Sequence, residues 1–206
     1  PITHEVHLVW NYVNIFSNTR GTNRFKALIL TFDHLREFKR VQQLNIQLPP
    51  LKALEKWVLS SRSLSNKSLE QSVADLSKSE KKIIETVLEW SEEANRMVKE
   101  TVINLPPIDG SLKAMDFLNP YADLVVISNT PLEALHREWS GNNIESNVLY
   151  IAGQETGTKT EMLKAVAKGK YIQENILIIG DSYGDLIAAQ AVNALFFPII
   201  QSKEEE

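Results

Sequence analysis

The sequence predicts an α/β protein: an all-helical N-terminal region followed by a region built on a buried parallel sheet. Three observations carry this. Up to about residue 101, apolar residues recur at helical spacing. Pro106, Pro107, Asp109 and Gly110 then punctuate the chain. Beyond them, short apolar runs alternate with helical stretches, the pattern of βαβ units.

In the first region Phe25, Leu28, Ile29, Phe32 and Leu35 share one helical face, and Asn23 is placed to cap its start. Pro49 and Pro50 interrupt the pattern, and Leu51, Leu54, Trp57 and Val58 resume it. The polar stretch 60–72 predicts a loop or a short helix. The longest helix is expected over Ser77–Lys99, with Ser79 as its cap and Ile83, Ile84, Val87, Leu88, Ser91, Ala94 and Val98 along one side. In the second region strands are expected at Leu124–Ile127, Val148–Ala152, Ile176–Ile179 and Ala194–Ile200. Helices are expected at Ser111–Leu118, Pro131–Trp139, Lys159–Ala167 and Asp185–Val192. The domain reading is therefore 1–104 helical and 105–206 sheet-based.

Composition narrows the function classes. A hydrophobic share of 43% and a charged share of 23% are globular usage, which sets disorder aside. A net charge of −4 offers no basic field for nucleic acid or acidic lipid. No apolar run approaches the ~20 residues that span a bilayer, and the segment Pro1–Val13 is no signal peptide. The absence of cysteine removes disulfides, thiolate metal sites and thiol nucleophiles, and fits a cytoplasmic protein.

Ligands of parallel sheets bind at the carboxyl ends of the strands, so the residues after each run hold the chemistry. Ser128, Asn129 and Thr130 follow the first run, and Pro131 opens a helix. A hydroxyl beside free helix N–H groups makes an anion site, or simply a helix cap. After the second run, Gly153 to Lys159 invites comparison with a phosphate-binding Walker loop. It departs from that pattern because Thr158 separates Gly157 from Lys159. A lysine opening a helix opposes the helix dipole by a few tenths of a kcal/mol, so Lys159 is either functional or surface decoration. After the third run come Gly180, Asp181 and, four residues on, Asp185. Two carboxylates at one helix start suit Mg²⁺, which takes one or two carboxylates plus phosphate and water. The alternative is that Asp181 caps the helix and Asp185 complements its dipole. Taken together, a hydroxyl, a lysine and a Gly-Asp-x-x-x-Asp after three successive strands point to one phosphoryl group with its metal.

With those stretches in view, the chain resembles the haloacid dehalogenase superfamily, most of whose members are phosphatases. The resemblance rests on Leu124–Thr130, Gly157–Lys159 and Ile176–Asp185, with Pro106–Leu112 as the re-entry into the core. It implies a Rossmann-like three-layer core over 105–206 and an α-helical cap over 1–104. It also implies a Mg²⁺-dependent hydrolase acting on a small phosphorylated metabolite through an aspartyl-phosphate. Ser128, Lys159, Asp181 and Asp185 are then the catalytic set, Asp181 and Asp185 the metal ligands, and Ser128, Asn129, Lys159 and Arg20 the substrate contacts. Arg20 and Arg24 otherwise belong to an ordinary solvated turn. The segment Asn18–Phe25 is similar to part of one branch of such hydrolases.

One feature of that family is not found here. Its nucleophile is the first Asp of an Asp-x-Asp motif on a central strand, between the strands that carry Ser128 and Asp181. The nearest stretch, Leu28–Leu35, puts Thr31 at the nucleophile and Asp33 at the acid/base, but has helical spacing. Two buried strand edges facing a gap would leave backbone groups unpaired. The expectation is a slot beside Ser128, Lys159 and Asp181, filled by a strand from a segment before Pro1. A degenerate module that binds phosphate without turning it over is the alternative.

Overall fold

The computed structural model describes residues 1–74, 76–101 and 105–200. The chain divides into two compact units, Pro1–Ala94 and Asn95–Glu206. Among the described residues no helix is long and apolar enough to cross a membrane.

The first unit is helical. It contains α1 (Thr3–Asn11), a π-helical turn (Tyr12–Phe16), α2 (Arg24–Glu37), α3 (Lys39–Gln43), α4 (Lys52–Ser60), α5 (Asn66–Gln71) and most of α6 (Lys78–Thr101). Asn23 caps α2 as expected, accepting from the Phe25 N–H, and its amide also donates to the Leu64 carbonyl. Helix α2 is central because it feeds two cores. Phe25 packs with Leu51, Leu54, Trp57, Leu69 and Ile84, while Ala27 and Leu35 pack with Val9, Val13 and Val41. Phe25 meets Trp57 edge to face at 5.1 Å, a favoured aromatic geometry.

Two expectations for this unit are corrected. Ser77, not Ser79, starts α6: its N–H and hydroxyl both engage Glu80, and its hydroxyl oxygen accepts the Glu80 N–H. That reciprocal pair satisfies two otherwise orphaned donors, which Ser79 inside the helix cannot do. The strand alternative for Leu28–Leu35 also fails. Those residues are helical, Thr31 is buried and donates to the Ala27 carbonyl, and Asp33 pairs with Arg36.

The second unit alternates α7 (Ser111–Leu118), β1 (Val125–Ile127), α8 (Leu132–Gly141), β2 (Tyr150–Ala152), α9 (Lys159–Ala167), β3 (Leu177–Gly180), α10 (Tyr183–Gln190) and β4 (Leu195–Pro198). Every strand pairing is parallel, as the βαβ pattern requires. The parallel sheet comes in two pieces rather than one: β1 pairs with β2, and β3 pairs with β4. The edges of β1 and β3 line a common cavity, and among the described residues no ladder joins them. One face of the β3–β4 piece is covered by α10, while Leu177, Ile179, Leu195 and Phe197 are all more than half exposed.

Candidate active site

The site is assembled at the carboxyl ends of the strands by three helix starts. After β1, the Ser128 N–H extends the ladder by one bond to the Ala152 carbonyl (2.9 Å). The Ser128 hydroxyl oxygen accepts the Thr130 N–H at 3.1 Å. That leaves the Ser128 hydroxyl hydrogen available to donate. The loop after β2 is laced to the loop after β1. Gln154 donates to the Thr130 carbonyl, and the Glu155 carboxylate accepts the Leu132 N–H at the start of α8. Gly153 permits this approach, since a Cβ there would lie 2.7 Å from the Leu132 nitrogen.

Helix α9 begins with a reciprocal cap between Thr158 and Glu161. The Thr158 N–H is spent on Glu161 at 2.8 Å, so this turn is a helix start and not a phosphate-cradling loop. Lys159, the first residue of α9, has a side chain only 15% exposed, and its Nζ lies 2.5 Å from Asp185 Oδ1. Surface decoration does not describe a lysine so placed.

Helix α10 begins with the same device. Ser182 caps it, and Asp185 Oδ2 accepts both the Ser182 N–H (3.1 Å) and its hydroxyl (2.6 Å). Asp185 therefore serves the cap with one oxygen and Lys159 with the other. Asp181 is not the cap; it follows β3 and is exposed. Gly180 is required by close approach, because a Cβ there would lie 2.5 Å from Asp185 Cβ and Cγ. Ser182 and Glu161 were missed as site-shaping residues, although a hydroxyl residue followed three later by an acid is a legible signal in both cases.

Lys159 and Asp185 lie on the wall of a cavity of about 100 Å³. Val125 and Ile127 of β1 and Leu177, Ile178 and Ile179 of β3 complete most of its lining. The structure thus brings Lys159 and Asp185 into contact, and Ser128 and Asp181 directly follow the two bounding strands. Asn129 follows Ser128 in the same loop. Arg20 sits in the turn before α2, in the helical unit. Arg24 is engaged there, donating to the Ser91 carbonyl (2.8 Å) and hydroxyl (3.2 Å). Burial lowers the Arg24 pKa from its ordinary value.

No group of three or more acidic or histidine side chains gathers among the described residues. Mg²⁺ in phosphate sites takes one or two carboxylates and completes its shell with water and phosphate. The donor set fits that demand: Asp181 is an exposed carboxylate at a strand end, and Asp185 is a carboxylate held in place by Ser182 and Lys159.

A search of curated proteins gave no match. A family model described as haloacid dehalogenase-like hydrolase matches residues 41–199, well over half of the chain and all three helix starts of the site. Members of that superfamily commonly use Mg²⁺. The chain belongs to the haloacid dehalogenase-like hydrolases.

Proposed function

We propose that this hydrolase is a Mg²⁺-dependent phosphatase acting on a small phosphate monoester through an aspartyl-phosphate intermediate. One observation carries the reading: Lys159 and Asp185 meet at 2.5 Å on a cavity wall bounded by β1 and β3, the strands that Ser128 and Asp181 directly follow. A cation and a carboxylate on one cavity wall, with a hydroxyl and a second carboxylate in the loops that follow its bounding strands, suit a transferring phosphoryl group.

Asp181 would hold Mg²⁺ directly, with Asp185 as second ligand or as an orienting partner. The bound ion neutralises charge on the phosphoryl oxygens. Ser128 donates its hydroxyl hydrogen to a phosphoryl oxygen, assisted by Asn129. Lys159 offsets the negative charge that converges on the nucleophile and the phosphoryl group. The nucleophile would be a carboxylate on a further parallel strand, expected between the β1 and β3 edges that line the cavity and not found among the described residues. Its oxygen bonds to phosphorus as the ester oxygen leaves, and a second carboxylate on that strand supplies the leaving group's proton. The same group then takes a proton from water, which cleaves the acyl phosphate to inorganic phosphate and restores the nucleophile.

A second reading is a phosphate-binding module without turnover. It is favoured by one observation: the single carboxylate among the described lining residues, Asp185, is committed to Lys159 and to the α10 cap. Full-length protein assayed on p-nitrophenyl phosphate separates the two. Release of nitrophenol that depends on Mg²⁺ supports the phosphatase. Saturable phosphate binding without turnover supports the module. Metal-independent halide release from a 2-haloacid overturns both.

A further inference from the structure

The helical unit holds a second cavity, with a lining unlike that of the first. Helices α1, α2 and α6 frame an open cavity of about 590 Å³, within the range of small-molecule pockets. Its walls are apolar: Val6 and Trp10 from α1, Leu28 and Phe32 from α2, Val87 and Trp90 from α6. The Trp10 and Trp90 rings meet edge to face at 5.7 Å, which fixes one wall. Two hydroxyls also line it, but both donate to their own helices, Thr31 to the Ala27 carbonyl and Thr86 to the Lys82 carbonyl. They ask little of a ligand.

Charge is what selects the occupant. The ionisable side chains lining the cavity are His7 and Lys82, both exposed, and no carboxylate is among the described lining residues. A site with an apolar body and a basic lip is complementary to a molecule with an apolar body and an acidic end. We propose that this cavity binds a single-chain anionic amphiphile, such as a medium-chain carboxylate, with its chain against Trp10, Phe32 and Trp90 and its anionic end at Lys82. Binding here requires neither Mg²⁺ nor turnover.

The test is calorimetric titration of the full chain with decanoate below its micellar concentration, beside decyltrimethylammonium as the cationic counterpart. Saturable, one-to-one binding of decanoate, with the cation binding at least tenfold more weakly, supports the site. Lys82→Glu, an exposed change, should weaken decanoate by about three- to tenfold, the scale of reversing one solvent-exposed charge contact. Leu28→Trp, checked for fold by circular dichroism, should abolish binding by filling the cavity. Should that variant unfold, the Lys82→Glu result alone decides. Equal binding of both amphiphiles, unchanged affinity in Lys82→Glu, or self-association of the chain that excludes decanoate would each overturn the proposal.

Discussion

Truncating Lys159 sets two electrostatic effects against each other, and their magnitudes decide the sign. Seen only as a cation at the N-terminus of α9, Lys159 is unfavourable, and Lys159→Ala would return about 0.3–1 kcal/mol. The structure adds a larger opposing effect. Lys159 Nζ lies 2.5 Å from Asp185 Oδ1, with side chains 15% and 10% exposed. Breaking a fully buried pair costs about 3–5 kcal/mol, because the partner charge stays uncompensated. Here residual exposure, and the two Ser182 donors that still serve Asp185, reduce the loss to about 2–3 kcal/mol. The expected net result is destabilisation by about 1–2 kcal/mol. Urea unfolding of the wild type, Lys159→Ala, Asp185→Asn and the double variant gives the coupling energy. It should be about 2–3 kcal/mol, because the dipole effect of Lys159 cancels in the cycle while each change removes the same contact. Hydrogen exchange over α9 and α10 localises the effect. Unchanged or raised stability in Lys159→Ala, or a coupling below about 0.3 kcal/mol, refutes the reasoning.

Gly180→Ala should cost about 2–4 kcal/mol, since its Cβ would lie 2.5 Å from Asp185 and drive that side chain off both Ser182 and Lys159; an unchanged melting temperature would contradict the close approach. Asp181→Asn in the full-length protein should abolish Mg²⁺-dependent phosphatase activity with the circular dichroism spectrum intact. Asp185→Asn should weaken apparent Mg²⁺ affinity by about 10–100-fold; identical Mg²⁺ titrations for wild type and Asp181→Asn would end that assignment. Hydrogen bonds first from Ser140 and then from His136 hold the Glu145 carboxyl below its ordinary 4.5. A lowered native value stabilises the fold above pH 4.5, and that contribution is lost as pH falls through the native value. The gap in melting temperature between wild type and Glu145→Gln should therefore be open at pH 7 and close in acid, and a gap that widens in acid would reverse the sign.

Local signals were legible in the sequence. The Ser111–Leu118 and Lys159–Ala167 helices have the expected bounds, and each expected apolar run overlaps a strand. Such elements depend on near neighbours: an apolar period, a capping hydroxyl, a proline. Near neighbours compete at helix starts: Ser77, not the expected Ser79, starts α6, and Ser182, not the alternative Asp181, caps α10. In each case the residue three before an acid forms the cap, because only that spacing lets side chain and backbone exchange hydrogen bonds.

What only the tertiary structure decided lies between elements distant in sequence. The order of Ser128, Lys159, Asp181 and Asp185 marks the strand ends, but nothing local says that Lys159 contacts a carboxylate twenty-six residues on. That contact follows from how α9 and α10 pack on one another. The division of the sheet into two pieces is likewise invisible to periodicity, because an apolar run reads the same whether its edge is paired or open. The amphiphile cavity belongs to the same class, its wall joining Trp10 to Trp90 from opposite ends of the helical unit. Local sequence sets backbone conformation through near-neighbour sterics and hydrogen bonds. Long-range pairing is set by which surfaces meet when the elements pack, and a single chain read residue by residue does not contain that geometry.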